Sequence, residues 1–148
     1  MTKLSDLRFR HVNPGRLLCE RINPDEPENI PDWFAKASAG ALKVEGWVNR
    51  SVLVTMETKV QRKPYVAVVS VVGLFATDDQ RPPSPDEPDD SVLTKSSSEE
   101  IDVFVANAVR DLYPFLRSEM FTLTGRFAGA QGIMLQPAPV LGGPAQPI

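Results

Sequence analysis

Enzyme chemistry needs nucleophiles, general acids and bases, or metal ligands held at fixed spacing. This chain of 148 residues offers few of them. It has one histidine, His11, and one cysteine, Cys19. His11 lies in a polar stretch with no evident partner, and reads as a surface side chain. Cys19 follows Leu17-Leu18, and reads as a small buried apolar group, not a reactive thiol. A single cysteine excludes an intramolecular disulfide. One cysteine with one histidine also excludes a structural zinc site of the usual Cys/His type within one chain. The glycine-rich run Gly125-Arg126-Phe127-Ala128-Gly129-Ala130-Gln131-Gly132 follows a helical segment and lacks a Lys-Ser/Thr pair, so it is a poor phosphate loop. A helix end and turn is the better reading. Paired carboxylates sit mainly in one proline-rich loop, where preorganisation fails. No catalytic constellation emerges. The expectation is a protein that is not an enzyme, with no cofactor and no metal.

The charge points the same way. Net charge is -3, but six acids (Asp78, Asp79, Asp86, Glu87, Asp89, Asp90) and only one base, Arg81, lie between Thr77 and Ser91. Outside that loop thirteen acids face fifteen bases, a net of +2. No basic stripe with interleaved aromatics appears, so no nucleic-acid partner is expected. No run approaches the ~20 apolar residues of a membrane span. The N-terminal Met1-Thr2-Lys3-Leu4-Ser5-Asp6-Leu7-Arg8 has charges where a signal peptide needs an apolar core. The chain therefore reads as cytoplasmic.

What remains is a set of elements rich in apolar surface. A first strand is expected within Arg8 to Arg21. Asn23 to Pro31, with three prolines, is a connection, and Trp33-Phe34 follow it. Leu42 to Thr58 reads as one strand: Val44, Val48, Val52, Val54 and Met56 share a face that Arg50 interrupts, while Glu45, Asn49, Ser51, Thr55 and Glu57 share the other with Trp47 and Leu53. Gln61-Arg62-Lys63-Pro64 is a turn. Tyr65 to Ala76 is a second strand of the hairpin. It is apolar on both faces, which requires cover on both: a helix on one, with another subunit a candidate for the other. Residues 78–97 form an acidic proline-rich loop expected to be mobile.

Ser97 and Glu100 have capping-box spacing and open a helix. Ile101, Phe104, Val105, Ala108, Val109, Leu112, Phe115, Leu116 and Met120 give it a wide apolar face. Pro114 should kink it or start a second segment, and helix yields near Gly125. Ile133-Met134-Leu135 reads as a short extended piece. Residues 1–140 form the folded domain, and 141–148 a flexible tail.

The helix carries Tyr113-Pro114-Phe115-Leu116-Arg117-Ser118-Glu119. Thr124-Gly125-Arg126-Phe127 and Leu135-Gln136-Pro137-Ala138-Pro139-Val140 follow, and Trp33 precedes the long strand. In type and order these features resemble the SecB family of export chaperones. The order spans roughly Arg16 to Val140, and the motif-level likeness covers Ala106 to Val140. The resemblance implies an α+β fold. It would have a four-stranded antiparallel sheet with a crossover loop, packed by one long kinked helix. It implies a homotetramer, a dimer of dimers, with Phe104, Val105, Ala108, Leu112 and Phe115 at the oligomer interface. It implies grooves that hold unfolded polypeptide without ATP, with Trp33, Phe34, Leu42, Trp47, Phe75, Phe127 and Met134 as candidate contacts. Trp33 and Phe34 can equally be read as a plug on the sheet end.

Two departures matter. The family's second helix is not visible in Gly142-Gly143-Pro144-Ala145-Gln146-Pro147-Ile148. The strand-linking turn, Gln61-Arg62-Lys63, is basic where the export chaperone carries acids that dock to the SecA motor, which weakens that docking. The resemblance implies as client an exported protein or a labile protein such as an antitoxin. The alternative is a structural or adaptor subunit of a permanent assembly with the same fold.

Overall fold

A computed structural model describes residues 3–23, 25–26, 29–47, 50–78, 91–128 and 132–136, without the side chains at 91, 127 and 128. After a single 3-10 turn, Leu4–Asp6, the elements run β1 (Arg8–Arg21), α1 (Asp32–Lys36), β2 (Ala41–Trp47), β3 (Ser51–Arg62), β4 (Tyr65–Ala76), α2 (Ser91–Thr94) and α3 (Ser98–Ala128). The strands form one antiparallel sheet in the order β1-β4-β3-β2. Strand β1 lies at one edge and β2 at the other. The chain between them must therefore cross the whole sheet, and α1 belongs to that crossover. The expected α+β architecture, a four-stranded antiparallel sheet under one long helix, is what the chain adopts.

The stretch Leu42 to Thr58 is corrected from one strand to two. Trp47 pairs with Ser51 across residues 48–50, and Arg50 adopts a left-handed φ of 59°. Three-residue hairpin loops commonly end on such a residue. Glycine usually supplies it, so Arg50 hides the turn in the sequence. The β3–β4 hairpin turns at Lys63-Pro64, whose peptide bond is cis, and closes on the Arg62–Tyr65 pair.

Period-two alternation sorts the sheet into two faces. The inner face carries Val52, Val54, Met56 and Val60 of β3 with Ala67, Val69, Val71 and Phe75 of β4, all buried. Helix α3 closes it with Phe104, Ala108, Val109, Leu112, Leu116 and Met120. Gly73 is required here: a Cβ on it would lie 2.4 Å from Leu112 Cδ2. Phe75 meets Phe104 edge-on at 5.2 Å and Phe9 at 5.5 Å, and Phe9 stacks on the half-exposed Phe115 at 5.8 Å.

The capping box forms as its spacing implies. Glu100 N donates to Ser97 Oγ at 3.2 Å, and Ser97 N donates to Glu100 Oε1 at 3.3 Å. Pro114 does not divide the helix. It sits on the exposed side of α3, where the ring meets solvent instead of the sheet, and helix continues past Gly125 to Ala128. The stretch expected to be mobile is also corrected at its end. Residues 91–94 form α2, and Val92 is only 4% exposed in the main core. Residues 79–90, the tail 141–148 and the segment where the family's second helix would fall lie outside the described residues.

Candidate functional site

The outer face of the sheet is not uniform. At one end Val66, Val68 and Ile22 are buried beneath Phe34 and Ala37, with Leu18, Ile30 and Trp33 around them. Pro31 supplies the N-cap of α1, and its carbonyl accepts from Phe34 N at 3.0 Å. Lys59 Nζ lies 4.8 Å over the Phe34 ring and donates to the Phe34 carbonyl at 3.1 Å. Phe34 is therefore the plug, and Trp33 is its half-exposed neighbour, meeting it edge-on at 6.3 Å.

Next comes a polar waist. Arg16 pairs with Glu57 at 3.3 Å, and Arg16 N donates to the buried Ser70 Oγ at 2.8 Å. Glu57 also accepts from Ser38 N at 3.2 Å. A β-bulge between Pro14 and Leu17 of β1 brings Arg16 to this position.

Beyond the waist the face is apolar and open. The register aligns Glu45, Leu53, Leu74 and His11 in one rung, and Lys43, Thr55, Val72 and Asn13 in the next. Leu53, Val72 and Leu74 are half-buried, with no described element over them in the buried clusters. Trp47, 49% exposed, sits on the same face at the β2 end. The margins are polar: Lys43 and Glu45 on β2, His11 and Asn13 on β1. His11 has a partner after all, with Asn13 Nδ2 2.8 Å from its Nε2. Rungs on one face are about 6.8 Å apart. From Ser51, opposite Trp47, to the Lys59–Val68 rung beside Trp33 is four such spacings, about 27 Å or the length of about eight extended residues.

The expected contact residues do not assemble into one surface. Trp33 and Trp47 belong to the outer face. Phe34 and Phe75 are buried, Phe75 on the opposite face under α3. Leu42 also points inward, half-buried against the main core. Met134 is 51% exposed, but it lies on the segment that returns along α3. The Phe127 side chain is outside the described residues. Leu53, Val72 and Leu74 were missed. Their signal was present: Leu53 is an apolar residue on the polar face of its strand, and Val72 and Leu74 are half of the two-faced apolarity of β4.

The expected oligomer interface needs a similar correction. Phe104, Ala108 and Leu112 are 7%, 0% and 0% exposed within the single chain, because α3 needs them for its own sheet. Val105 is half-buried. Of that group only Phe115 is exposed, at 43%; Val103 at 63% and Phe121 at 37% are further apolar residues on the helix exterior.

Among the described residues no group of three or more His, Cys, Asp or Glu side chains is placed to hold a metal ion, and no helix is long and apolar enough to cross a membrane. Cys19 faces the inner layer, and burial pushes its thiol pKa up from the ordinary value. A raised pKa leaves less thiolate and makes it a poorer nucleophile.

No protein-family model matches the chain, and no curated protein sequence matches it. Solved structures do share its fold. One is a protein of unknown function from Streptococcus agalactiae, with a TM-score of 0.55 and 11% identity over 88% of this chain and 96% of that one. Another is Mycobacterium tuberculosis Rv1957, a SecB-like chaperone in complex with a ChAD peptide from the HigA1 antitoxin. Its TM-score is 0.51, with 18% identity over 89% of this chain and 87% of that one. At these identities the likeness establishes the fold: the chain folds like a SecB-like chaperone.

Proposed function

We propose that this protein is a holding chaperone that binds unfolded or nonnative polypeptide without ATP and without catalysing a reaction. The observation that carries the reading is the fold it shares with a SecB-like chaperone solved with a bound antitoxin peptide. The open apolar end of the outer face gives the reading a location. Trp47, Leu53, Val72 and Leu74 offer side chains that an extended client can cover without any client residue being specified, and Trp33 stands across the waist at the capped end. Each apolar side chain fully buried contributes roughly 1.5–3 kcal/mol. A few such contacts, less the ordering of the client, give modest affinity per chain.

Assembly then multiplies that affinity. A homotetramer is part of the proposal, with Phe115, Val103 and Phe121 on the α3 exterior as the surface available to a second copy. The client is a labile cytoplasmic protein such as an antitoxin in preference to an export substrate. Arg62 and Lys63 are exposed at the β3–β4 turn, and bases there disfavour docking to the SecA motor.

Tryptophan fluorescence tests the reading. In a Trp33→Phe background the emission of Trp47, which borders the open end, should shift on addition of a reduced, unfolded polypeptide. An unchanged spectrum together with unchanged client aggregation would favour a sealed structural subunit instead.

A further inference from the structure

After α3 the chain turns back, and Gly132–Gln136 lies along the helix as a short strap. It forms no strand. Instead, side chains of α3 satisfy its backbone. Ile133 N donates to Thr124 Oγ1 at 2.7 Å. Arg117 Nε donates to the Leu135 carbonyl at 3.2 Å. Tyr113 Oη donates to the Gln136 carbonyl at 2.5 Å. Residues 113, 117 and 124 are spaced by four and seven, so they form one stripe along the helix. The strap alternates: Ile133 is 4% exposed and Leu135 1%, while Met134 between them is 51% exposed.

We propose that this stripe, with the apolar seats beneath Ile133 and Leu135, is a second polypeptide-binding site. Its ligand is an extended segment with apolar residues two positions apart, and here the chain's own strap occupies it. The contacts identify the ligand class. The polar groups of the stripe read backbone N–H and C=O, which every polypeptide carries. The two seats read alternate side chains, as in other modes of extended-peptide recognition. With the strap in place Thr124 and Tyr113 are only 3% and 4% exposed; Thr124 Oγ1 donates to the Met120 carbonyl at 2.7 Å and so has its acceptor side left for a backbone amide. The tethered strap acts at an effective concentration on the order of millimolar. It therefore acts as a built-in competitor, and only a segment with strong apolar pairs displaces it. The proposal rests on the polypeptide-holding reading above only for the source of that segment.

One position allows the strap to be removed without touching its seats. A Cβ on Gly132 would lie 2.1 Å from the Phe121 carbonyl oxygen, so Gly132→Ala cannot seat as the wild type does. The probe is a fluorescein-labelled peptide carrying the strap sequence Gly-Ile-Met-Leu-Gln, followed by anisotropy with full-length protein. Gly132→Ala, and separately Ile133→Ser with Leu135→Ser, should bind it at least about tenfold more tightly than wild type, because the tethered competitor is gone. Adding Thr124→Val to Gly132→Ala should remove the gain. Equal binding by wild type and both variants, or none by any, overturns the proposal. Unfolding of both variants by circular dichroism also overturns it, since a removable occupant leaves its host folded. Hydrogen exchange on the wild type gives a reading that needs no variant. The Ile133 amide should exchange at least about tenfold faster than those of Leu112 and Met120, through local opening; equal protection would make the strap inseparable core. Aggregation suppression by the wild type is a separate measurement, so failure of this site and failure of the chaperone reading can be told apart.

Discussion

The two faces of one strand, β4, behave differently along its length. Its inner face is sealed from end to end: Ala67, Val69, Val71 and Phe75 are each at most 3% exposed beneath α3. Its outer face is sealed only at the start, where Phe34 covers Val66 and Val68. Past the Arg16–Glu57 waist, no described element covers Val72 and Leu74 in this way. The difference teaches that two-sided apolarity is not by itself a signature of a subunit interface. The five-residue helix α1 in the crossover satisfies half of it. Among the described residues nothing covers the other half.

The sealed face should break first. Leu112 is fully buried against Gly73, and Leu112→Ala should cost about 2–5 kcal/mol, through lost burial and the cavity left behind. Urea denaturation measures it, and a loss under about 1 kcal/mol would mean that α3 closes the sheet loosely. On the open face, Leu74→Ser should cost less than Leu112→Ala, roughly 1–2 kcal/mol, because Leu74 keeps part of its surface in water. A loss as large as that of Leu112→Ala would show that something seals this face too. A smaller effect is expected where the closing helix begins. Ser97→Ala removes the capping-box acceptor for Glu100 N, and should cost about 1 kcal/mol in the same assay. The smallest effect concerns Cys19 on the inner layer. Since burial pushes its pKa up, the thiolate appears only at higher pH than in a free cysteine. Alkylation by iodoacetamide at pH 8 should be slower than for a free thiol and should rise later as pH increases. A rate like that of free cysteine would place the β1 edge of the inner face in open solvent.

Much of this contrast was legible in the residues. The alternation of Val52, Val54 and Met56 against Ser51, Thr55 and Glu57 assigned the faces of β3, and both ends of β4 were readable. The capping box marked the start of α3. Arg50 registered as an interruption of an apolar face but not as a break, since an arginine in a left-handed conformation carries no turn signal. Helix α1 was hidden by its shortness: Asp32–Lys36 is too brief for helical periodicity to register. The candidate site was half legible for the same reason. Aromatic type alone does not say which face a residue serves. Phe34 and Phe75 were claimed by packing, while the aliphatic Leu53, Val72 and Leu74 were left outside. The strap was visible only as an extended piece, because its partners Tyr113, Arg117 and Thr124 are remote in sequence and bind its backbone, not its side chains.

The central claim is that the open end of the outer face holds nonnative polypeptide. Suppression of aggregation of a chemically unfolded model protein, followed by light scattering, tests it most directly when wild type is compared with Leu53→Ser plus Leu74→Ser. With both proteins equally folded by circular dichroism, the wild type should suppress scattering and the variant should lose most of that effect. Equal suppression by the two, or none by the wild type, would contradict the account.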